Sequence, residues 1–163
     1  MSAIEELLRN NEAYAAAFDR GGLQLAPRRK VAVLTCMDAR LDPARMLGLA
    51  EGDAHVIRNA GGVVTDDAIR SLAISQRVLG TEDVVLIHHT DCELQTFTDD
   101  QFREQVREDT GIKPPWCPES FHDVIGDLRQ SIARVETSPF LLHPDRVHGF
   151  VYETGSGRLR PIS

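Results

Sequence analysis

Two short stretches of the chain carry apolar residues one after another with almost no polar interruption, Val31-Ala32-Val33-Leu34-Thr35 and Asp83-Val84-Val85-Leu86-Ile87-His88. Runs of strand length without alternation suit strands covered on both faces, as in a parallel sheet under helices. Elsewhere the apolar positions recur at helical intervals. Ser2 with Glu5 makes a capping box, Ile4, Leu7, Leu8, Ala15 and Phe18 follow on one stripe, and Gly21-Gly22 offers a stop, so a helix is predicted over 2–20. Asp42-Pro43 is a cap followed by a first-turn proline. Ala54 to Arg58 reads as a second short strand and Asn59-Ala60-Gly61-Gly62 as a loop. Thr65-Asp66-Asp67 opens a helix carried by Ile69, Leu72, Ala73 and Leu79 and stopped by Gly80. Thr98 with Gln101 forms another capping box, Phe97 and Phe102 a hydrophobic staple, and that helix is predicted to reach Gly111. After the stiff connector Pro114-Pro115-Trp116-Cys117-Pro118, a long helix carries Phe121, Val124, Ile125, Leu128 and Ile132. Val147 to Tyr152 reads as a last strand, and Gly155-Ser156-Gly157 turns the chain into a tail that can return as a hairpin.

Strands separated by helices require crossover connections, which makes the fold class α/β, a central, mostly parallel β-sheet flanked by helices. Residues 1–163 are expected to form a single domain. The apolar stripe of the first helix needs cover, from its own subunit or from a neighbour's.

Composition narrows the partners. At 42% hydrophobic and 26% charged residues the chain is of ordinary globular make-up. A net charge of -7 gives no basic footprint for nucleic acid and no attraction to anionic lipid, so neither nucleic acid nor membrane is expected as a partner. No apolar run approaches a bilayer span, and Met1-Ser2-Ala3-Ile4-Glu5-Glu6 lacks the basic and apolar segments of a signal peptide, so a cytoplasmic location is expected. Three cysteines are an odd number and form no disulfide framework, so thiolates for metal or catalysis are the better use of them.

The chemistry gathers at the ends of the two apolar runs. Cys36-Met37-Asp38-Ala39-Arg40 follows the first, and His88-His89-Thr90-Asp91-Cys92 follows the second. In open parallel sheets the reactive residues collect at the carboxyl ends of strands. If the two strands are neighbours, Cys36, His89 and Cys92 converge. Two thiolates and an imidazole suit zinc, and three protein ligands leave the fourth position that distinguishes a catalytic from a structural site. Singly, each residue has a plainer reading, Cys36 as a small buried hydrophobe and His89 as a satisfied histidine; together they do not. Asp38 can take the fourth metal position or accept a hydrogen bond from a metal-bound water, and Arg40 can hold its carboxylate by paired, charge-assisted hydrogen bonds.

Cys36-x-Asp38-x-Arg40 followed by His89-x-x-Cys92, with Arg58-Asn59-Ala60-Gly61 between them, resembles the beta-class carbonic anhydrases, and the length resembles their short, archaeal-like branch. The resemblance runs from about Lys30 to the last strand. It implies zinc-dependent, reversible hydration of carbon dioxide to bicarbonate by attack of zinc-bound hydroxide, the activity of a carbonate dehydratase. It also implies a homodimer or tetramer in which the first helix, 2–20, packs across the dimer. Asp38 would then be a gate, on the metal in a closed form and on Arg40 in the open one. Carbonyl sulfide and carbon disulfide hydrolases resemble the same family and form one alternative. A non-catalytic zinc-binding protein is the other.

Several residues depart from the pattern or stand aside from it. Glu93 occupies a position where the family usually has glycine; it is strained there if the backbone needs a positive φ, and otherwise points to solvent. Val33 stands where some members carry a tryptophan of a regulatory bicarbonate pocket, so that form of inhibition is not expected although Arg58 is present. His88 should face away from His89 and be structural. Asp91 suits either a hydrogen-bonding partner of the site or a turn stabiliser. Met37 and Ala39 either line the cleft or pack, Cys117 reads as a spare thiol, and His122, His143 and His148 are candidate proton carriers.

Overall fold

A computed structural model describes residues 2–162. The elements are α1 (Ala3–Ala16), β1 (Val31–Cys36), α2 (Pro43–Leu47), β2 (Ala54–Asn59), α3 (Asp66–Arg77), β3 (Asp83–His89), α4 (Asp99–Thr110), α5 (Val124–Glu136), β4 (Val147–Glu153) and β5 (Arg158–Pro161), with 3-10 turns at Ala60–Gly62 and Glu93–Gln95. The sheet order is β2-β1-β3-β4-β5. β1 to β4 are parallel, and β5 returns antiparallel on β4 as the hairpin tail. This is the expected α/β sheet.

The unbroken apolar runs become the two central strands. β1 is buried from Ala32 to Cys36 and β3 from Leu86 to His89. Ala32, Leu34, Val84, Leu86 and Val151 meet Ala68 and Leu72 of α3 and Leu128 and Val135 of α5 in the main core. At roughly 1.5–3 kcal/mol for each fully buried aliphatic side chain, this layer is the chief source of stability.

The capping signals are realised at the N-termini. Ser2–Glu5 and Thr98–Gln101 form both halves of their capping boxes, and Phe97 packs on Phe102 with ring centroids 5.4 Å apart. α4 runs to its cap at Gly111 as expected, whereas two other helix C-termini differ from the expectation. α1 ends at Ala16, four residues before Arg20, and none of its residues is buried. α3 ends at Arg77, ahead of Gly80, whose amide closes on the Gln76 carbonyl. Phe121 is not part of the long helix. Asp123 caps α5 at Ile125, and Phe121 lies before that cap, where its amide donates to the Leu94 carbonyl and its ring is buried near the end of the sheet.

Candidate metal centre

In this order β1 and β3 are neighbours although β2 lies between them in the chain, so successive connections leave β1 in opposite directions. That reversal opens a crevice at the carboxyl ends of β1 and β3, where ligands bind in open α/β sheets. The register Thr35↔Ile87 brings Cys36 alongside the His88-His89 end of β3, and the Thr35 hydroxyl donates to the Ile87 carbonyl across the pair (3.0 Å). Asp91 then takes a left-handed conformation (φ 56) that turns the chain sharply, so Cys92 heads the 3-10 turn Glu93–Gln95 and points back into the crevice.

The donor atoms of Cys36, His89 and Cys92 all lie within 4.8 Å of one another, and all three residues are buried. Cys36 and Cys92 are embedded among Leu41, Val63, Leu94 and Phe121, an apolar wall that excludes water from the back of the site. His89 shows that the donors fit a metal ion. Its Nδ1 meets the Thr90 carbonyl at 2.9 Å, which assigns the proton to Nδ1, while its buried Nε2 has no hydrogen-bond partner among the described residues. An imidazole oriented by a carbonyl on one nitrogen and left with a bare lone pair on the other is the form that binds zinc.

The two neighbouring thiols drive each other's acidity apart. The Cys92 thiol beside it holds Cys36 well below the usual thiol range, helped by His89 and by the amides of Asp38 and Gly61, while the same contact and burial raise Cys92. Burial opposes a charged His89, but the Cys36 sulfur, the Thr90 carbonyl and the Asp38 carboxylate together outweigh it and raise its pKa. Two sulfurs and an imidazole converging in an apolar pocket suit a soft cation.

Asp38 stands at the mouth. Arg40 holds its carboxylate through Nε (3.1 Å) and Nη2 (2.7 Å), and the Arg40 amide adds a bond to Oδ1 (2.8 Å). The guanidinium is the largest influence on Asp38 and lowers its pKa to about 2, so at neutral pH the group is an acceptor only. Oδ2 lies 3.8 Å from His89 Nε2. The carboxylate is thus held on Arg40. Arg58 donates to the Cys36 carbonyl (3.0 Å) and the Asp38 carbonyl (2.7 Å), so its side chain clamps the loop that carries both residues.

Of the two readings of Glu93, the solvent-facing one holds. The positive φ belongs to Asp91, and Glu93 is an exposed member of an ordinary 3-10 turn, without that strain. Asp91 serves as both a turn residue and a partner of the site: its carbonyl accepts from Arg40 Nη2 (2.9 Å) and its carboxylate from the Thr154 hydroxyl (3.0 Å). Thr154, at the end of β4, had no signal in its own neighbourhood of the sequence. His88 faces α5, with Nε2 2.7 Å from Asp127 Oδ2. Met37 and Ala39 are both exposed and pack in no core. Cys117 is exposed and bonded to Asp99, away from the crevice. His148 pairs with Asp83 at the opposite end of β3, roughly 20 Å from His89 at about 3.3 Å per residue. The His143 amide bonds to Gln76 of α3. His122 is the candidate beside the site, its carbonyl accepting from Gln95, whose Oε1 caps the Cys92 amide.

Comparison with known proteins agrees with this geometry. A family model described as carbonic anhydrase matches residues 31–124. The chain is 51% identical to beta-carbonic anhydrase 1 of Mycobacterium tuberculosis (strain ATCC 25618 / H37Rv) over 163 residues, covering 100% of this chain and 99% of that protein. The crystal structure of a carbonic anhydrase from Streptococcus mutans superimposes with a TM-score of 0.93 at 42% identity, covering 100% of this chain and 99% of that one. A carbon disulfide hydrolase of Acidianus sp. (strain A1-3) is 31% identical, over 96% of this chain and 87% of its own.

Proposed function

The chain belongs to the beta-carbonic anhydrase family, and on that premise we propose that it is a carbonate dehydratase, a zinc enzyme that reversibly adds water to carbon dioxide to give bicarbonate and a proton. The observation that carries this reading is the three-donor set Cys36–His89–Cys92 with an ionised Asp38 aimed at it from Arg40. Cys36, His89 and Cys92 would hold the ion. Zinc supplies Lewis acidity there, bringing the pKa of water toward about 7 and so making a nucleophile near neutral pH.

The chain's own groups do the rest. Asp38, unable to donate, accepts a hydrogen bond from the attacking water at Oδ2 and turns its lone pair toward the substrate carbon. Arg40 keeps the carboxylate ionised and in place. Leu94, Phe121 and Val63 give an uncharged linear substrate an apolar wall and keep bulk water off it. Asp38→Ala is expected to retain zinc but lose about 100-fold in kcat, the lower range for loss of a positioned acid–base group. Metal analysis and stopped-flow hydration check this, and full turnover by the variant would remove Asp38 from the mechanism.

Carbonyl sulfide and carbon disulfide are also small, linear and apolar, and the carbon disulfide hydrolase relative makes them the second reading. A non-catalytic zinc protein has no use for the Asp38–Arg40 pair. The assembly belongs to the same proposal. Ile4, Leu7 and Leu8 of α1 are each more than 60% exposed, and a stripe left uncovered by its own subunit supports a helix laid across a second copy in a dimer or tetramer. Among the described residues no helix is long and apolar enough to cross a membrane, and three free cysteines support a reducing, cytoplasmic location.

A further inference from the structure

Thr90 and Asp91 present successive backbone carbonyls to two different parts of the site. The Thr90 carbonyl receives His89 Nδ1 (2.9 Å), and the Asp91 carbonyl receives Arg40 Nη2 (2.9 Å). The left-handed backbone of Asp91 lets these carbonyls diverge, one toward the imidazole and one toward the guanidinium. For a non-glycine residue that conformation costs roughly 1–2 kcal/mol and persists only where surrounding bonds fix it.

Most of those bonds come from Thr154, the first residue after the neighbouring strand β4. The Thr154 amide donates to Thr90 Oγ1 (3.1 Å), the two threonine hydroxyls meet at 3.0 Å, and the Thr154 hydroxyl reaches Asp91 Oδ2 (3.0 Å). Each hydroxyl has one proton. The carboxylate can only accept, so the Thr154 proton goes to Asp91, and the Thr90 proton must go to Thr154 Oγ1. The Thr90 amide, bonded to the Tyr152 carbonyl (3.0 Å), completes the tie to β4. The side-chain hydrogen bonds of Thr90 and Asp91 thus converge on Thr154, which is itself neither a donor of the metal set nor a partner of Asp38.

We propose that Thr154 is a positioning residue for both halves of the site: through Thr90 it sets the imidazole of His89 for the metal, and through Asp91 it sets Arg40 for Asp38. Its hydroxyl is the shared part. Valine, nearly isosteric, removes both hydroxyl bonds and leaves the strand amide in place; serine keeps the hydroxyl.

The test compares Thr154→Val, Thr154→Ser and Asp91→Gly with the parent chain. Zinc affinity is read by competition with a chromophoric chelator, kcat by carbon dioxide hydration, and metal-free stability by thermal melting. Thr154→Val is expected to weaken zinc binding and lower kcat about tenfold each, the low end for groups that orient a metal ligand. Thr154→Ser is expected to stay within about twofold of the parent. Asp91→Gly tolerates the left-handed turn but lacks the carboxylate. It is expected to lower kcat more than zinc affinity, and to add little to Thr154→Val in the double variant, because both remove the same bond. Zinc affinity and kcat both within about twofold of the parent in Thr154→Val overturn the proposal, whatever the melting temperature. So does a serine variant as impaired as the valine one. If Thr154→Val does not fold, Asp91→Gly decides by its kcat on the same threshold. The kcat arm rests on the carbon dioxide reading; the zinc arm does not, so a chain inactive toward carbon dioxide still tests Thr154 by its affinity.

Discussion

A Cys36→Ala chain is expected to fold, to emerge from dialysis with almost no zinc, and to hydrate carbon dioxide at the background rate. β1 is held by backbone pairing to β2 and β3 on both sides, and none of those bonds uses the thiol. Removing the sulfur leaves His89 and Cys92, two donors for an ion that binds tightly only with three or four. Lewis-acid activation is worth several kcal/mol, and about 4 kcal/mol already corresponds to roughly a thousandfold in rate. Zinc should raise the melting temperature of the parent, because it binds the folded chain, and leave that of the variant unmoved. A variant with a full zinc complement would show that Cys36 is no ligand. A variant without zinc but with parental turnover would show that the ion takes no part in the reaction.

Gly62→Ala is expected to damage the same site without touching a donor atom. Gly62 has φ +71, and a Cβ there would lie 2.9 Å from the Cys36 amide nitrogen, 3.0 Å from the Thr35 carbonyl carbon and 3.1 Å from the Ile87 carbonyl oxygen. All three are backbone atoms of the central strands, which cannot swing aside as a side chain can. The left-handed backbone costs roughly 1–2 kcal/mol and forced packing about 1–3 kcal/mol more. A loss near 3 kcal/mol lowers the melting temperature by about 6–12 °C in a chain of this size. Spreading β1 from β3 also separates Cys36 from His89, so zinc affinity should fall with stability. Gly80 is a control: it too has positive φ (+72), but a Cβ there meets nothing within 4 Å. Gly80→Ala should therefore cost only the backbone strain and leave zinc affinity unchanged. Equal losses of affinity in the two variants would show that close approach at Gly62 is not what holds the strand ends together.

The parts of this molecule legible in its sequence are those whose cause is local. An unbroken apolar run has to be covered on both faces, which fixed β1 and β3 as central strands and put Cys36 and His89 at their ends. Caps are contiguous signals, and Ser2, Asp42, Thr65 and Thr98 each begin the helix they precede. Helix ends depend on what packs against the last turn, so Gly21 and Gly80 marked stops the chain never reaches as helix. Phe121 shows the same limit: its apolar side chain fits the helical stripe of α5, yet it is spent on the wall of the crevice. The positive φ at Asp91 and not at Glu93 follows from where Cys92 must return, a three-dimensional requirement that aspartate tolerates better than most residues. Thr154 was out of reach altogether. It meets the Thr90-Asp91 turn only because β4 lies beside β3 with Tyr152 opposite His89, and nothing near residue 154 in the chain records that pairing.

The most direct test of the central claim is stopped-flow hydration of carbon dioxide by zinc-quantified protein at about pH 8.5, above the range of activated water, with carbonyl sulfide measured in parallel. The expected result is fast turnover of carbon dioxide in proportion to bound zinc, lost in Cys36→Ala and exceeding turnover of carbonyl sulfide. Stoichiometric zinc with no hydration of carbon dioxide, or carbonyl sulfide turned over faster, would contradict it.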